Sequence, residues 1–287
     1  MALSRFDSPV ENTWCPGCGN FGIQNALKVA LEAENLKPHE ILMVAGIGQA
    51  AKLPQFLNVN AFNGLHGRAL PAALGAQVAN RSLKIIVATG DGDALAEGGN
   101  HFIHNIRRNL DLVHLLHDNQ VYGLTKGQAS PTTPFGQVTT LQTSGVRIVP
   151  INPTTLAIAS HCTFVARSFS GDQEHLTEMI RLAMQHKGYA LIDILQPCPS
   201  FNKINTFKWY KDHIFKLDEN YDPQDKTKAF EMSLKWGEED GIPVGILYQD
   251  KRPTFLDQFT HINETPLVFK ERSPLDIQSI LNTMVQK

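Results

Sequence analysis

Two short apolar, β-branched runs, LKIIVAT at 83–89 and DLVHLL at 111–116, bracket a stretch whose apolar residues repeat at helical spacing. That order predicts a strand, a crossover helix and a second strand parallel to the first and beside it. No other feature constrains the chain as strongly, because open α/β sheets bind ligands beyond the carboxyl ends of their strands. Asp91, in GDGD at 90–93, follows the first strand, and Asn119, in DN at 118–119, ends the second. An acid and an amide therefore converge at one sheet edge. Hard oxygen donors that leave coordination positions open suit Mg²⁺ carrying a diphosphate, and Gly90 and Gly92 permit close approach of backbone to phosphate.

The same alternation continues on both sides of this unit. A helical pattern at 22–35 leads to a buried strand at 40–46 that ends in GIG, and GLHGRALPAALGAQVAN at 64–80 reads as a glycine loop opening a second crossover helix. A strand at 163–169, a helix at 173–186 and a strand at 189–195 follow. The expected fold is α/β, a mostly parallel sheet flanked by helices. The polar segment at 122–136 is long enough to be a functional loop rather than a tight connection. Residues 1–200 are read as one α/β domain with an N-terminal CxxC segment. Residues 201–287 are read as a C-terminal extension, with one helix at 225–237, that packs on the domain or on a partner.

Net charge is −2 with no basic block, so neither nucleic acid nor an anionic membrane surface is an expected partner. No stretch has the form of a signal peptide or the length of a membrane span, and the chain is read as cytoplasmic. In that setting four cysteines point to metal rather than to disulfides. Cys15 and Cys18 have CxxC spacing, which suits zinc or an iron–sulfur cluster, and Cys198, between two prolines, could join them only by tertiary contact. Cys162 reads as a buried packing residue. His101 and His104 have a spacing that can bind metal, yet packing or surface roles are expected of them, and His114 and His117 are expected to face helices across a strand. No G-x-G-x-x-G follows the first strand, which argues against a nicotinamide dehydrogenase.

GDG, a helix-length gap and Asp118-Asn119 together resemble the thiamine-diphosphate motif, which adds the main-chain oxygen of Val121 to Asp91 and Asn119 as Mg²⁺ ligands. Over almost the whole chain, WCPGCGN, GIG, HGRALP, GDGD, GGNHFIHNIRRN, DNQVYGLTKGQASPTTP and QPCPSFN resemble the beta subunit of the 2-oxoacid:ferredoxin oxidoreductases. The resemblance implies a thiamine-diphosphate-binding fold. It assigns Ile47 and Gly48 to the thiamine and His66 and Gly67 to a cofactor loop. Gly92, Asp93, Gly123, Leu124 and Thr125 fall to the diphosphate and thiazolium surroundings. The implied reaction is oxidative decarboxylation of a 2-oxoacid with coenzyme A, or its reductive reverse, with electrons passed to or from ferredoxin. The activating glutamate would come from an alpha subunit, leaving Glu97 as a partner of the first-turn helix dipole.

The resemblance also bears on the cysteines and on the substrate. It implies a [4Fe-4S] cluster on Cys15, Cys18 and Cys198, but the family's fourth ligand falls at Gln49. A non-cysteine ligand, a three-iron form and loss of the cluster all stay open. Lys52 and Leu124 resemble the 2-oxoglutarate-using members, and Lys126 follows on the same loop, so these three are the candidate substrate-pocket residues. Pyruvate, or broad 2-oxoacid use, is the alternative. A non-catalytic assembly subunit with a zinc-like CxxC is the alternative of another class.

Overall fold

The computed structural model describes residues 4–237, 239–259, 265–271, 274 and 277–285. Alternating apolar strands and amphipathic helices build one eight-stranded sheet. In chain order its strands and helices are α1 (Asn20–Ala33), β1 (Ile41–Ala45), β2 (Asn60–Asn63), α2 (Ala69–Ala79), β3 (Lys84–Gly90), α3 (Gly99–Arg108) and β4 (Leu112–Asp118). A two-stranded hairpin follows, β5 (Val121–Tyr122) with β6 (Gln128–Ala129), and then α4 (Pro153–Ala159), β7 (Phe164–Phe169), α5 (Gln173–Gln185) and β8 (Tyr189–Leu195). The remainder supplies α6 (Phe207–His213), β9 (Ile214–Lys216), α7 (Lys226–Leu234), β10 (Ile242–Gln249) and α8 (Ile277–Val285).

Strand order across the sheet is β2-β1-β3-β4-β8-β7-β10-β9. Every pairing from β2 to β7 is parallel, as crossovers through helices require, while β10 runs antiparallel to β7. The expected mostly parallel α/β sheet is what forms. Helices α1 and α5 cover one face around Leu27, Met43, Ile86 and Ile180, and α2, α3 and α4 cover the other around Phe102, Ile106, Val87 and Leu191. With both faces dry, β4 and β8 are buried along their whole length, which is why their sequences read as continuous apolar runs.

Residues beyond 200 contribute to the same sheet. β10 pairs with β7, and β9 with β10, so the chain end extends the sheet's far edge. β10 carries Pro243 and Gly245 and a register shift between Ile246 and Tyr248, features that weaken a strand signal in sequence. β2 escapes pattern reading for a different reason: NAFN is four residues long and exposed throughout. Among the described residues no helix is long and apolar enough to cross a membrane.

Candidate cofactor site at the strand ends

Because β1, β3 and β4 are adjacent and parallel, the loops that leave their carboxyl ends lie side by side. A cavity of about 90 Å³ opens there, lined by Ile47, Gly48, His66, Gly90, Asp91, Gly92, Asp93, Asn119, Val121, Gly123, Leu124 and Thr125, with Gln49, Ala50 and Tyr122. Far apart in the chain, these residues are brought to one wall by the parallel register. A cavity of about 330 Å³ lies beyond Thr132 and Asp118, walled by Phe135, Ile151, Leu234 and Trp236. It is the larger of the two, but none of the glycine loops opens into it.

Asp91 is buried, and its Oδ2 accepts hydrogen bonds from Ser130 Oγ and, at 2.6 Å, from Thr132 Oγ1. Burial pushes the carboxyl up to about 6, against the opposing effect of the two hydroxyls. A divalent cation beside it would favour the ionised form and reverse that shift. Asn119 Oδ1 accepts from Val121 N at 3.1 Å, an Asx turn that sets the amide and the Val121 backbone close together. Gly48 has φ of +119°, and a side chain there would meet no atom within 4 Å. The donors therefore fit a diphosphate held by Mg²⁺: one carboxylate, one amide, one carbonyl and bare backbone around them.

Asp93 has a different task. Its Oδ1 accepts from Ile47 N at 3.2 Å and Gly67 N at 2.6 Å, and lies 2.7 Å from His66 Nδ1. One carboxylate thereby ties the loop after β1 to the loop before α2. His66 Nε2 lies 3.5 Å from Glu97 Oε2, which also accepts from the Tyr122 hydroxyl at 3.2 Å. Glu97 ends a single π-helical turn, Asp93–Glu97, and its carboxylate reaches these two rings rather than acting as a bystander at the start of α3. Burial and the Glu97 charge both raise the Tyr122 phenol, which stays protonated as the donor. Gly92 is read from sequence as room for phosphate; a side chain there would strike the Tyr122 ring at 2.2 Å.

Of the candidate substrate residues, Leu124 lines the cavity. Lys52 and Lys126 do not. Lys52 Nζ reaches Thr13 Oγ1 at 3.3 Å, and Lys126 is exposed at a turn with φ of +83°.

Cys15, Cys18 and Cys198 line a second, narrow cavity together with Gln49, Gln196, Asn119 and Gly123, so it shares a wall with the first. Burial pushes the Cys18 thiol up to about 11, helped by Cys198 and Cys15 nearby, and Gln196 Nε2 donates to its sulfur at 3.4 Å. The carbonyl oxygens of the Gln49 and Gln196 side chains are buried without a partner. Among the described residues no three His, Cys, Asp or Glu side chains stand close enough to enclose a metal ion, and His101 and His104 form no such group. Cys162 is buried, with its thiol on the Phe164 and Tyr189 carbonyls. His114 and His117 are buried too, held by Thr89 and Tyr189 and by Asn20 respectively.

Ser130 and Thr132 are the site residues that the sequence reading missed. They lie within the loop flagged as functional, but only the β5–β6 hairpin returns them to Asp91.

A sheet whose strand ends gather an acid, an amide and glycine loops defines the class: residues 40–194 match the family described as thiamine pyrophosphate enzyme, C-terminal TPP binding domain. Residues 198–264 match the family described as the C-terminal part of the pyruvate ferredoxin oxidoreductase beta subunit. A 2-oxoacid:ferredoxin oxidoreductase subunit beta of Saccharolobus solfataricus is 46% identical over 260 residues, covering 86% of this chain and 85% of that protein. A 2-oxoglutarate synthase subunit KorB of Methanocaldococcus jannaschii is 34% identical, covering 89% and 94%. A solved 2-oxoglutarate:ferredoxin oxidoreductase of Magnetococcus marinus, with 2-oxoglutarate, coenzyme A and succinyl-CoA bound, superposes with a TM-score of 0.90 at 34% identity, covering 98% and 96%. The chain belongs to the beta subunits of the 2-oxoacid:ferredoxin oxidoreductases. It is one subunit of a multi-subunit oxidoreductase.

Proposed function

We propose that this chain binds Mg²⁺ and thiamine diphosphate for a 2-oxoglutarate:ferredoxin oxidoreductase. With an alpha subunit it would convert 2-oxoglutarate and coenzyme A to succinyl-CoA, or run the reductive reverse, exchanging electrons with ferredoxin. The observation that carries this reading is the convergence of Asp91, Asn119 and Val121 on a glycine-walled cavity in a chain of this family. Asp91, Asn119 and the Val121 carbonyl would hold the ion. Gly92, Gly123 and Thr125 would flank the diphosphate, and Gly48 the thiamine. Ile47, Leu124, His66 and Gly67 would border the rings, His66 kept in place by Asp93. Bound there, thiamine diphosphate supplies an electron sink for decarboxylation. Ile47 and Leu124, each 42% exposed, would exclude water once a partner covers them.

Cys15, Cys18 and Cys198 supply three thiols on one cavity wall, which suits an iron–sulfur cluster of the [4Fe-4S] type with a non-cysteine fourth ligand. The wall shared with the cofactor cavity favours this over a remote structural zinc. The preference for 2-oxoglutarate over pyruvate rests on the named relatives; Lys52, whose Nζ reaches Thr13 and which does not line the cavity, enters only through the family resemblance. Complex purified without oxygen after co-expression with its alpha subunit should contain iron and thiamine; zinc alone would support the assembly-subunit reading instead. In that complex Lys52→Met should lower kcat/KM for 2-oxoglutarate by about 1.5–3 kcal/mol of transition-state binding and spare pyruvate. Equal losses on both substrates would remove Lys52 from the distal carboxylate.

A further inference from the structure

Asp91 presents its two oxygens to different surroundings. Oδ2 takes hydrogen bonds from both Ser130 Oγ and Thr132 Oγ1, and Oδ1 is the oxygen that neither hydroxyl engages in a residue lining the cofactor cavity. The grip on Oδ2 is itself anchored. Ser130 N donates to Thr133 Oγ1 at 2.8 Å and Thr133 Oγ1 donates to the Gln120 carbonyl at 2.6 Å, while Thr132 Oγ1, also 2.7 Å from Asp118 Oδ1, shares its one hydrogen between two carboxyl groups. All three hydroxyl residues are buried, so water does not compete for Oδ2.

Mg²⁺ and Ca²⁺ make different demands on such a carboxylate. Mg²⁺ takes an octahedron of single oxygens at about 2.0–2.1 Å, whereas Ca²⁺ accepts six to eight ligands at roughly 2.3–2.6 Å and often takes both oxygens of one carboxylate. We propose that Ser130 and Thr132 are positioning residues that confine Asp91 to single-oxygen coordination and so make this site select Mg²⁺ over Ca²⁺. The proposal rests on the Mg²⁺–thiamine diphosphate reading above. Freed from the two hydroxyls, Asp91 could turn Oδ2 toward the ion, and the advantage of the smaller cation would shrink. Neither hydroxyl touches substrate in this scheme; each acts through Asp91.

The test titrates thiamine diphosphate into complex stripped of metal, with Mg²⁺, with Ca²⁺ or with chelator, following tryptophan fluorescence and adding no substrate. Wild-type complex should bind more tightly with Mg²⁺ than with Ca²⁺. Thr132→Val, which keeps shape and removes the hydroxyl, should narrow that ratio by about tenfold, the scale of one hydrogen bond to a charged group. Thr132→Ser should restore it. If Thr132→Val does not assemble, Ser130→Ala carries the same expectation. Metal-dependent binding in wild type with an unchanged Mg²⁺ to Ca²⁺ ratio in the variant overturns the selectivity role alone. Wild-type binding that is equal with chelator and with Mg²⁺ overturns both the role and the cofactor reading beneath it.

Discussion

Asp91 and Asp93 stand two residues apart in GDGD and do unlike work. Asp91 lines the cavity and is held by two hydroxyls, while Asp93 Oδ1 gathers two backbone amides and an imidazole from two other loops. Asp93→Ala should therefore loosen both loops, lowering the stability of the metal-free complex by at least about 2 kcal/mol, since hydrogen bonds to a buried charge contribute roughly 1.5–3 kcal/mol each. Urea unfolding measures it, and an unchanged midpoint would deny Asp93 this bracing role. His114 offers a pH test. Burial, with a smaller contribution from His117, pushes it down to about 3, against 6.5 for a free imidazole. The unfolded chain takes up a proton below about 6.5 that the folded chain refuses, so its contribution is complete above that pH and is lost as pH falls toward 3. By pH 5 that loss is about 2 kcal/mol for a fully buried ring. The drop in stability from pH 7 to pH 5 should accordingly be smaller in His114→Gln than in wild type; equal drops would contradict it. The placement of Asp91 and Asn119 at one sheet edge was legible because strand periodicity alone puts both at strand ends. The tasks of Asp93, Ser130 and Glu97 were not, because each depends on a contact between loops whose approach no periodicity encodes.

At the scale of elements, the loop between β2 and α2 is ordered by a glycine in a conformation other residues resist. Gly67 has φ of +71°, and a side chain there would lie 2.2 Å from the Glu97 carbonyl carbon, part of the backbone of the π-turn. Gly67→Ala should cost at least about 2 kcal/mol in stability, because left-handed backbone strain adds to a collision that neither backbone can relieve cheaply. It should weaken thiamine diphosphate binding as well. Calorimetry on the variant complex checks both, and wild-type values would place the loop's order elsewhere. The central strands and their crossovers were readable from the sequence because β3, β4 and β8 are buried on both faces and leave long apolar runs. The far edge was not. Pro243 and Gly245 break the apolar pattern of β10, and β9 is only three residues long, so sheet pairing with β7 decides a structure that local propensity leaves open.

Seen as a whole molecule, the protein places two cavities on either side of one wall. Gln49, Asn119 and Gly123 border both the strand-end cavity and the cysteine cavity, a short separation for electrons under the proposed function. The mouth carries the exposed apolar residues Ile47 and Leu124, a surface that suits coverage by another subunit. The proposed function depends on Asp91 as the charged ligand of the cofactor's metal ion. The decisive measurement is calorimetric titration of thiamine diphosphate, with Mg²⁺ present, into wild-type and Asp91→Ala complexes. Saturable, Mg²⁺-dependent binding in wild type and no detectable Mg²⁺-dependent binding in Asp91→Ala is the predicted result. Equal affinity in the two complexes would contradict the site.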